Sequence, residues 1–261
     1  MKFNRKKTVN ELLDACLNHK AVKKDLAFFV LLGSTQTNEA VEGYSDLDIL
    51  LILKSNKSGA IRPSTTHELK RISKGISQNS GQDISLLTHT IFDFEEYVDF
   101  NYLLHYSWGK VLFGSPKAYK ELFKKIIEKK YSDKARKDLM YYNLIHARFN
   151  LLRQYVSWNE FNKVSYIKSI LRLVIDKVIE VCDWALAYRG EYAKTKKEVV
   201  EKFNKNFKLK KFGHVPQQTL LVRAEWNNHT FKAKEFSTYL KDAVGFIQEL
   251  VEIIWKEHAK D

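Results

Sequence analysis

Two short polar motifs near the start of the chain constrain its fold more than any other feature. The first, Leu32-Gly33-Ser34, closes an apolar run, and the second, Ser45-Asp46-Leu47-Asp48, opens another. Short continuous apolar runs bounded by turn residues predict two buried, neighbouring strands. The polar ends of these strands are therefore expected to meet at one edge of a sheet.

The residue types at this edge predict a phosphate-handling site. One residue separates Asp46 from Asp48, so in an extended strand both carboxylates point to the same face. Two carboxylates held this close repel each other unless a cation lies between them. The Gly33-Ser34 turn offers backbone N–H groups and a hydroxyl to phosphate oxygens. Together these groups form the minimal apparatus for moving a nucleotidyl group.

This arrangement resembles the nucleotidyltransferase superfamily related to DNA polymerase β, whose signature is an apolar residue, Gly-Ser, a gap, and Asp-apolar-Asp. The resemblance covers about the first third of the chain. It implies Mg²⁺ bound by Asp46 and Asp48, and a nucleoside triphosphate contacted by Gly33, Ser34 and Ser45. It also implies ATP as co-substrate and transfer of AMP to an acceptor hydroxyl, with release of pyrophosphate. Many relatives carry arginine in the gap, whereas residues 35–45 contain none.

The family resemblance also implies a third metal-binding or catalytic carboxylate on a later strand. Asp83 fits this role, because Ile84 and Leu86 alternate with Asp83 and Ser85 in a strand pattern. The competing acid is Asp93, which lies in a segment typical of a loop or a helix start.

The expected fold class is α+β, with two domains. Residues 1–115 are predicted to form a polymerase β-like nucleotidyltransferase domain with a mixed sheet. Residues 116–261 are predicted to form an all-α antiparallel helical bundle. Relatives commonly close the first domain with Leu-Phe-Gly-Ser, which is found here at residues 112–115, and Pro116 then opens a helix.

Apolar periodicity divides the chain into predicted elements. It predicts helices over 9–19 and 66–77, strands over 26–32, 46–53 and 83–88, and a short strand before Gly114. Beyond Pro116 three apolar stripes predict helices packed in a core. They are Ile145, Phe149, Leu152 and Val156; eight positions from Ile167 to Cys182; and seven positions from Leu240 to Ile254.

Charge is distributed unevenly between the two predicted domains. The whole chain carries +13; residues 1–115 hold 14 Lys and Arg against 13 Asp and Glu, whereas residues 116–261 hold 30 against 18. A basic C-terminal domain favours nucleic acid or an acidic partner, and it disfavours a polycationic small substrate. The acceptor itself stays open: a small molecule, RNA or a protein hydroxyl.

Two other hypotheses compete with nucleotidyl transfer. The first is a non-catalytic nucleotide- or RNA-binding module. The second concerns Arg223 and His229, whose spacing resembles the motif of HEPN domains, helical bundles that often accompany minimal nucleotidyltransferases and are sometimes ribonucleases. A helical bundle like that of kanamycin nucleotidyltransferase is the other resemblance for this region, and the sequence is compatible with a homodimer.

Compartment is inferred from cysteine use and hydropathy. Cys16 and Cys182 each lie in a helical apolar pattern and are predicted to be reduced core thiols. No run approaches the ~20 apolar residues of a membrane span. We therefore expect a cytoplasmic protein.

Overall fold

The computed structural model describes residues 4–42, 44–55, 59–158, 164–228 and 232–260. It divides into two compact units, residues 1–131 and 132–261. The fold is α+β, as the sequence predicts.

The first unit is a mixed sheet with helices on both faces. Its strands are β1 (Leu26–Leu31), β2 (Leu47–Leu53), β3 (Ile84–Thr90) and β4 (Lys110–Phe113). Its helices are α1 (Arg5–Asn18), α2 (Lys20–Asp25), α3 (Gly33–Gln36), α4 (Pro63–Ser80), α5 (Ile91–Glu96), α6 (Phe100–Ser107) and α7 (Pro116–Lys130). The strand order is β3-β2-β1-β4; β1 is antiparallel to β2 and β4, and β2 is parallel to β3. A parallel pair requires a crossover connection, and α4 supplies it.

Both faces of the sheet are buried, which explains why β1 and β2 are continuous apolar runs rather than alternating ones. Leu31, Ile49 and Leu51 pack with residues of α1, α2 and α4. On the other face, Val30 and Leu50 pack with residues of α5, α6 and α7. Alternate residues of one strand thus belong to two different cores.

Helix α7 begins at Pro116, as predicted, but it packs within the first unit. Ser115 accepts the N–H of Ala118 as an N-cap, at 3.3 Å. The buried face of α7, including Tyr119 and Phe123, joins the core that covers β1 and β2. The sequence pattern places a boundary after Ser115, and the compact unit continues through this helix to residue 131.

Including α7 in the first unit changes the net charge that is counted for each unit. Helix α7 carries six lysines and two glutamates. With α7 included, residues 1–131 carry a net charge of +5 and residues 132–261 carry +8. Basic character is therefore shared by both units.

In the second unit the described residues form only helices. They are α8 (Asp133–Ser157), α9 (Val164–Tyr188), α10 (Lys196–Asn206), α11 (Val215–Ala224) and α12 (Ala233–His258). The stripes predicted on α9 and α12 are confirmed, because every residue of both is buried. Helices α8, α9 and α12 pack against one another.

The stripe predicted as the core face of α8 is wrong. Phe149 is 61% exposed and Val156 is 76% exposed. The buried residues of α8 include Leu144 and Leu151, each one position before a residue of the predicted stripe. Helix α8 carries large apolar residues on two adjacent faces, so periodicity alone does not show which face meets the bundle.

Both cysteines are buried and form no disulfide, as predicted. Burial raises the pKa of the Cys16 thiol to about 11, which keeps it protonated at neutral pH. No helix in the described part of the chain is long and apolar enough to cross a membrane.

One carboxylate, Asp25, joins several elements of the first unit. It is 7% exposed, and its side chain accepts hydrogen bonds from Arg62 Nε at 2.9 Å and Thr65 Oγ1 at 2.5 Å. Its carbonyl accepts the N–H of Lys54 at 2.7 Å. Burial alone would raise the pKa of Asp25, but the bonds from Arg62 and Thr65 outweigh burial and lower it.

We predict that Asp25→Asn lowers the free energy of unfolding by about 2 kcal/mol at pH 7, because bonds to a charged acceptor are lost. Urea denaturation measures the difference. The pKa of Asp25 is lower in the folded state than in the unfolded state, so its contribution is present above the unfolded pKa and is lost as pH falls. The difference between wild type and variant should shrink below about pH 4. A difference that stays constant down to pH 2 would contradict this assignment.

Candidate active site

The pairing of β1 with β2 brings the two sequence motifs into contact. Leu31 is opposite Ile49, and the N–H of Leu32 donates to the carbonyl of Asp48 at 3.0 Å. Gly33 has φ +62°, and a Cβ placed there would lie 2.6 Å from Oδ2 of Asp48. Glycine is favoured at this position, since a side chain would strain the left-handed backbone and would push the carboxylate of Asp48 aside.

The carboxylate of Asp48 lies on the face of the sheet that α6 covers. Tyr106 of α6 is 6% exposed, and its ring lies 5.8 Å from the ring of His89. Burial raises the pKa of Tyr106 to about 12, and nearby acidic groups, Asp48 among them, add to the increase. The aromatic side chain of Tyr106 thus lies close to Asp48.

Asp46 and Asp83 are neighbours across the parallel pair of strands. Leu47 is opposite Ile84, and the N–H of Leu47 donates to the carbonyl of Asp83 at 2.9 Å. Asp46 is half-buried and Asp83 is exposed. The register therefore places the backbone of Asp83 next to that of Asp46.

The donor set suits Mg²⁺, which takes one or two protein carboxylates and completes its coordination with water and substrate phosphates. Asp46 and Asp48 supply two carboxylates. Among the residues that the structure describes, no group of three or more His, Cys, Asp or Glu side chains is placed to hold a metal. The backbone of Asp83 is thus next to that of Asp46, but the three carboxylates do not form one metal-binding group.

The competing acid, Asp93, has a structural role. Its Oδ2 accepts the N–H of Thr90 at 2.6 Å, and its own N–H donates to Thr90 Oγ1 at 3.2 Å. This reciprocal capping box begins α5. Asp93 thus caps a helix, whereas Asp83 lies at the start of β3, beside β2.

Sequence analysis missed one cation that contacts the segment between the two motifs. Nη2 of Arg5, on α1, donates to the carbonyl of Ser45 at 2.9 Å, directly before Asp46. The hydroxyl of Ser45 accepts the N–H of Val41 at 3.0 Å. The segment lacks an arginine of its own, and α1 provides one. The basic N-terminus was the available signal, but nothing in the sequence shows where that helix packs.

Ser34 stands at the start of the one-turn helix α3. Its carbonyl accepts the N–H of Glu39 at 2.9 Å, which fixes the backbone. Its hydroxyl makes no hydrogen bond with any residue that the structure describes, so it can bind phosphate without losing an internal bond. Gly33 is thus followed in the sequence by Ser34, and the carboxylate of Asp48 lies next to it in space.

The proposed ribonuclease pair lies in the second unit. Arg223 lies in the last turn of α11 and is 5% exposed, whereas His229 lies outside the described residues. A guanidinium this deeply buried is more typical of structural support than of phosphate binding at a surface.

Comparison with known proteins gives one family match. Residues 11–108 match the sequence model of the nucleotidyltransferase domain. The matched range contains Gly33, Ser34, Asp46, Asp48 and Asp83. No curated protein sequence matches the chain.

We predict opposite effects for two glycine substitutions. Gly33→Ala should lower the free energy of unfolding by about 1–3 kcal/mol, because the left-handed backbone is strained and the new Cβ presses on Asp48. Gly75→Ala is the matched control, since Gly75 lies inside α4 and its added Cβ meets no atom within 4 Å. It should raise stability by about 0.4–1 kcal/mol. Equal effects in urea denaturation would contradict the Gly33–Asp48 contact.

Proposed function

Because the chain carries a nucleotidyltransferase domain and is therefore a transferase, we propose that it moves AMP from ATP to an acceptor hydroxyl. The contact between Gly33 and Asp48 is the observation that carries this proposal. It brings a turn suited to phosphate close to Asp48, one of two acids that we propose bind the metal. Transfer of a nucleotidyl group requires both.

Each motif residue has a role in the proposed reaction. Asp46 and Asp48 would hold Mg²⁺, which when bound neutralises charge on the triphosphate. Ser34 and the backbone N–H of Gly33 would bind the β- and γ-phosphates. Ser45 positions Asp46, because its backbone and hydroxyl fix the end of the intervening segment.

The transfer step forms one bond to phosphorus and breaks another. The acceptor oxygen attacks the α-phosphorus, and the bond from that phosphorus to the bridging oxygen of the β-phosphate breaks. Its electron pair leaves with pyrophosphate. Asp83, exposed beside Asp46, accepts the proton of the acceptor hydroxyl as general base.

The charge of the chain bears on the class of acceptor. Both units are basic, with +5 on residues 1–131 and +8 on residues 132–261. Such a surface attracts phosphate-rich or acidic acceptors and repels polycations. We propose an acceptor that carries negative charge.

We predict that Asp46→Asn and Asp48→Asn each reduce transfer by roughly 10³-fold, because a metal ion supplies several kcal/mol of charge stabilisation. Transfer is measured with [α-³²P]ATP, Mg²⁺ and cell extract as the source of acceptor. Asp14→Asn is the matched control, since Asp14 is an exposed acid on α1. All three variants should fold. Full activity in either motif variant, or equal loss in the control, would refute the proposal.

The same assay separates the alternatives. A labelled product that is destroyed by ribonuclease identifies an RNA acceptor, and one that is destroyed by protease identifies a protein acceptor. Shortened RNA without incorporation of label would instead support the ribonuclease hypothesis. Binding of ATP without either product would support a non-catalytic module.

We predict a different signature for Asp83. If it is the general base, Asp83→Asn should reduce the maximal rate by roughly 10²-fold or more. ATP affinity should remain within about twofold of wild type, because Asp46 and Asp48 still hold the metal. Asp93→Asn should keep full catalytic activity and lose stability instead, since it breaks the capping box of α5. A fully active Asp83→Asn enzyme would exclude this residue from catalysis.

A further inference from the structure

Strand β3 forms one edge of the sheet, and its outer side pairs with no other strand that the structure describes. Leu47 of β2 is opposite Ile84, and its N–H donates to the carbonyl of Asp83. In a parallel ladder a residue bonds to the two residues that flank its opposite number, so every second residue of β3 directs its backbone groups to β2. The N–H and carbonyl groups of Ile84, Leu86 and Thr88 therefore point away from the sheet.

These three residues form an outer row of backbone groups without a partner in the described part of the chain. No backbone hydrogen bond outside the strand ladder reaches any of them there. The row is closed at both ends, because Ser77 Oγ donates to the carbonyl of Gln82 at 2.6 Å and the N–H of Thr90 donates to Asp93 Oδ2 at 2.6 Å. Between these ends the outer row can accept a further strand.

Strand β3 has none of the features that usually protect an edge from pairing with another chain. Natural edge strands are protected by charged side chains, by proline or by a bulge. The sequence of β3, Ile-Ser-Leu-Leu-Thr-His-Thr, contains no Lys, Arg, Asp, Glu or Pro. Its register with β2 is regular from Ile84 to Thr90, so the strand has no bulge. An edge of this kind favours pairing with an extended polypeptide.

A groove lies along the same edge, between α4 and β3, and its volume is about 670 Å³. Among the described residues of the sheet, only Leu86 and Thr88 of β3 line it. The lining residues of α4 extend from Thr66 to Gln78. At about 1.5 Å per residue this stretch of helix is ~18 Å long, which is also the length of a strand of about five or six residues. The groove is therefore long enough for the side chains of one added strand.

The groove is positively charged. Lys70 and Lys74 line it one helical turn apart, and no acidic residue lines it among the described residues. Both lysines are exposed, and within the described part of the chain neither forms an ion pair. Residues four apart on a helix have Cβ atoms about 5–6 Å apart, and alternate residues of a strand are ~6.6 Å apart. Two acidic side chains at alternate positions of an added strand therefore match the two lysines.

The chemistry of the edge selects among possible occupants. Nucleic acid has no peptide groups with which to extend a β-ladder, so the outer row favours a polypeptide. A second copy of this chain would offer its own β3, which has no acidic residue for Lys70 and Lys74. Two such strands paired antiparallel are related by a two-fold axis perpendicular to the sheet, which would bring both pairs of lysines to the same side. Charge complementarity thus favours a different protein with acidic side chains.

We propose that β3 binds an extended acidic segment of another protein as an added strand. The backbone of this segment pairs with Ile84, Leu86 and Thr88, and its acidic side chains at alternate positions contact Lys70 and Lys74. Backbone pairing then supplies affinity, and the groove supplies specificity. This binding requires neither metal nor ATP, so it is independent of nucleotidyl transfer.

The first test identifies and then dissects a peptide ligand. A phage library of random peptides of about nine residues is selected on the full chain in EDTA, and an enriched peptide is synthesised for fluorescence anisotropy. We expect acidic residues at alternate positions. Methylation of single backbone nitrogens should weaken binding by roughly tenfold at every second position and by less than about twofold between them, because only alternate N–H groups face β3. No enrichment, enrichment of peptides without acids, or equal effects of methylation at neighbouring positions would overturn the proposal.

Substitutions in the chain provide the second test. Thr88→Pro removes an outward N–H that the ladder does not use, so the sheet should persist while peptide affinity falls by roughly tenfold or more. Thr88→Val keeps that N–H and is the matched control. Lys70→Glu should weaken binding by roughly fivefold. Its control is Lys120→Glu, because Lys120 is exposed on α7 and does not line the groove.

Both controls should stay within about twofold of wild type, and circular dichroism checks that each variant is folded. If Thr88→Pro does not fold, Lys70→Glu and the methylated peptides still decide the outcome. Unchanged affinity in folded Thr88→Pro, or equal weakening by Lys70→Glu and Lys120→Glu, would contradict strand addition at this edge. A dimer of the free chain in sedimentation that Thr88→Pro dissociates would assign the edge to a second copy and overturn the proposal.

Discussion

The antiparallel pairing of β1 with β2 is the constraint on which the candidate site depends. It sets the end of one strand against the start of the next, so that Leu32 bonds to the backbone of Asp48. Glycine is then favoured at residue 33, because the backbone there is left-handed and the carboxylate of Asp48 lies where a Cβ would stand. The two motifs are therefore one structural unit, although a long segment separates them in the sequence. The parallel strand β3 extends that unit by placing Asp83 beside Asp46.

The sequence predicted what short-range patterns encode and missed what packing decides. Strands β1 and β2 agree with their predicted bounds to within a residue, because apolar runs between turn residues are local signals. The motif residues Gly33 and Asp48 meet as expected. The buried face of α8 was predicted wrongly, since the helix is apolar on two sides and only its neighbours select one. The role of Arg5 could not be predicted either, because it depends on where α1 packs against the sheet.

The net charge of each unit likewise depends on packing that the sequence does not show. Counted along the sequence, the positive excess follows residue 115, but the helix that carries six of those lysines, α7, belongs to the first unit. The apolar side of that helix, including Phe123, covers the sheet, while most of its lysines face water. A helix that ends one compact unit can look in sequence like the start of the next, because its polar face carries no information about its partner.

Strand β3 is an edge strand, and Asp83 lies at its beginning. Within the described residues the sheet has no strand beyond it, so on that side the sheet sets no limit on the size of a molecule that approaches the acids. Substitutions in the residues that lie beyond this edge can therefore alter which molecules reach the carboxylates. They need not alter the strands that carry the carboxylates. For the proposed transfer reaction, the chemistry and the choice of acceptor can therefore evolve separately.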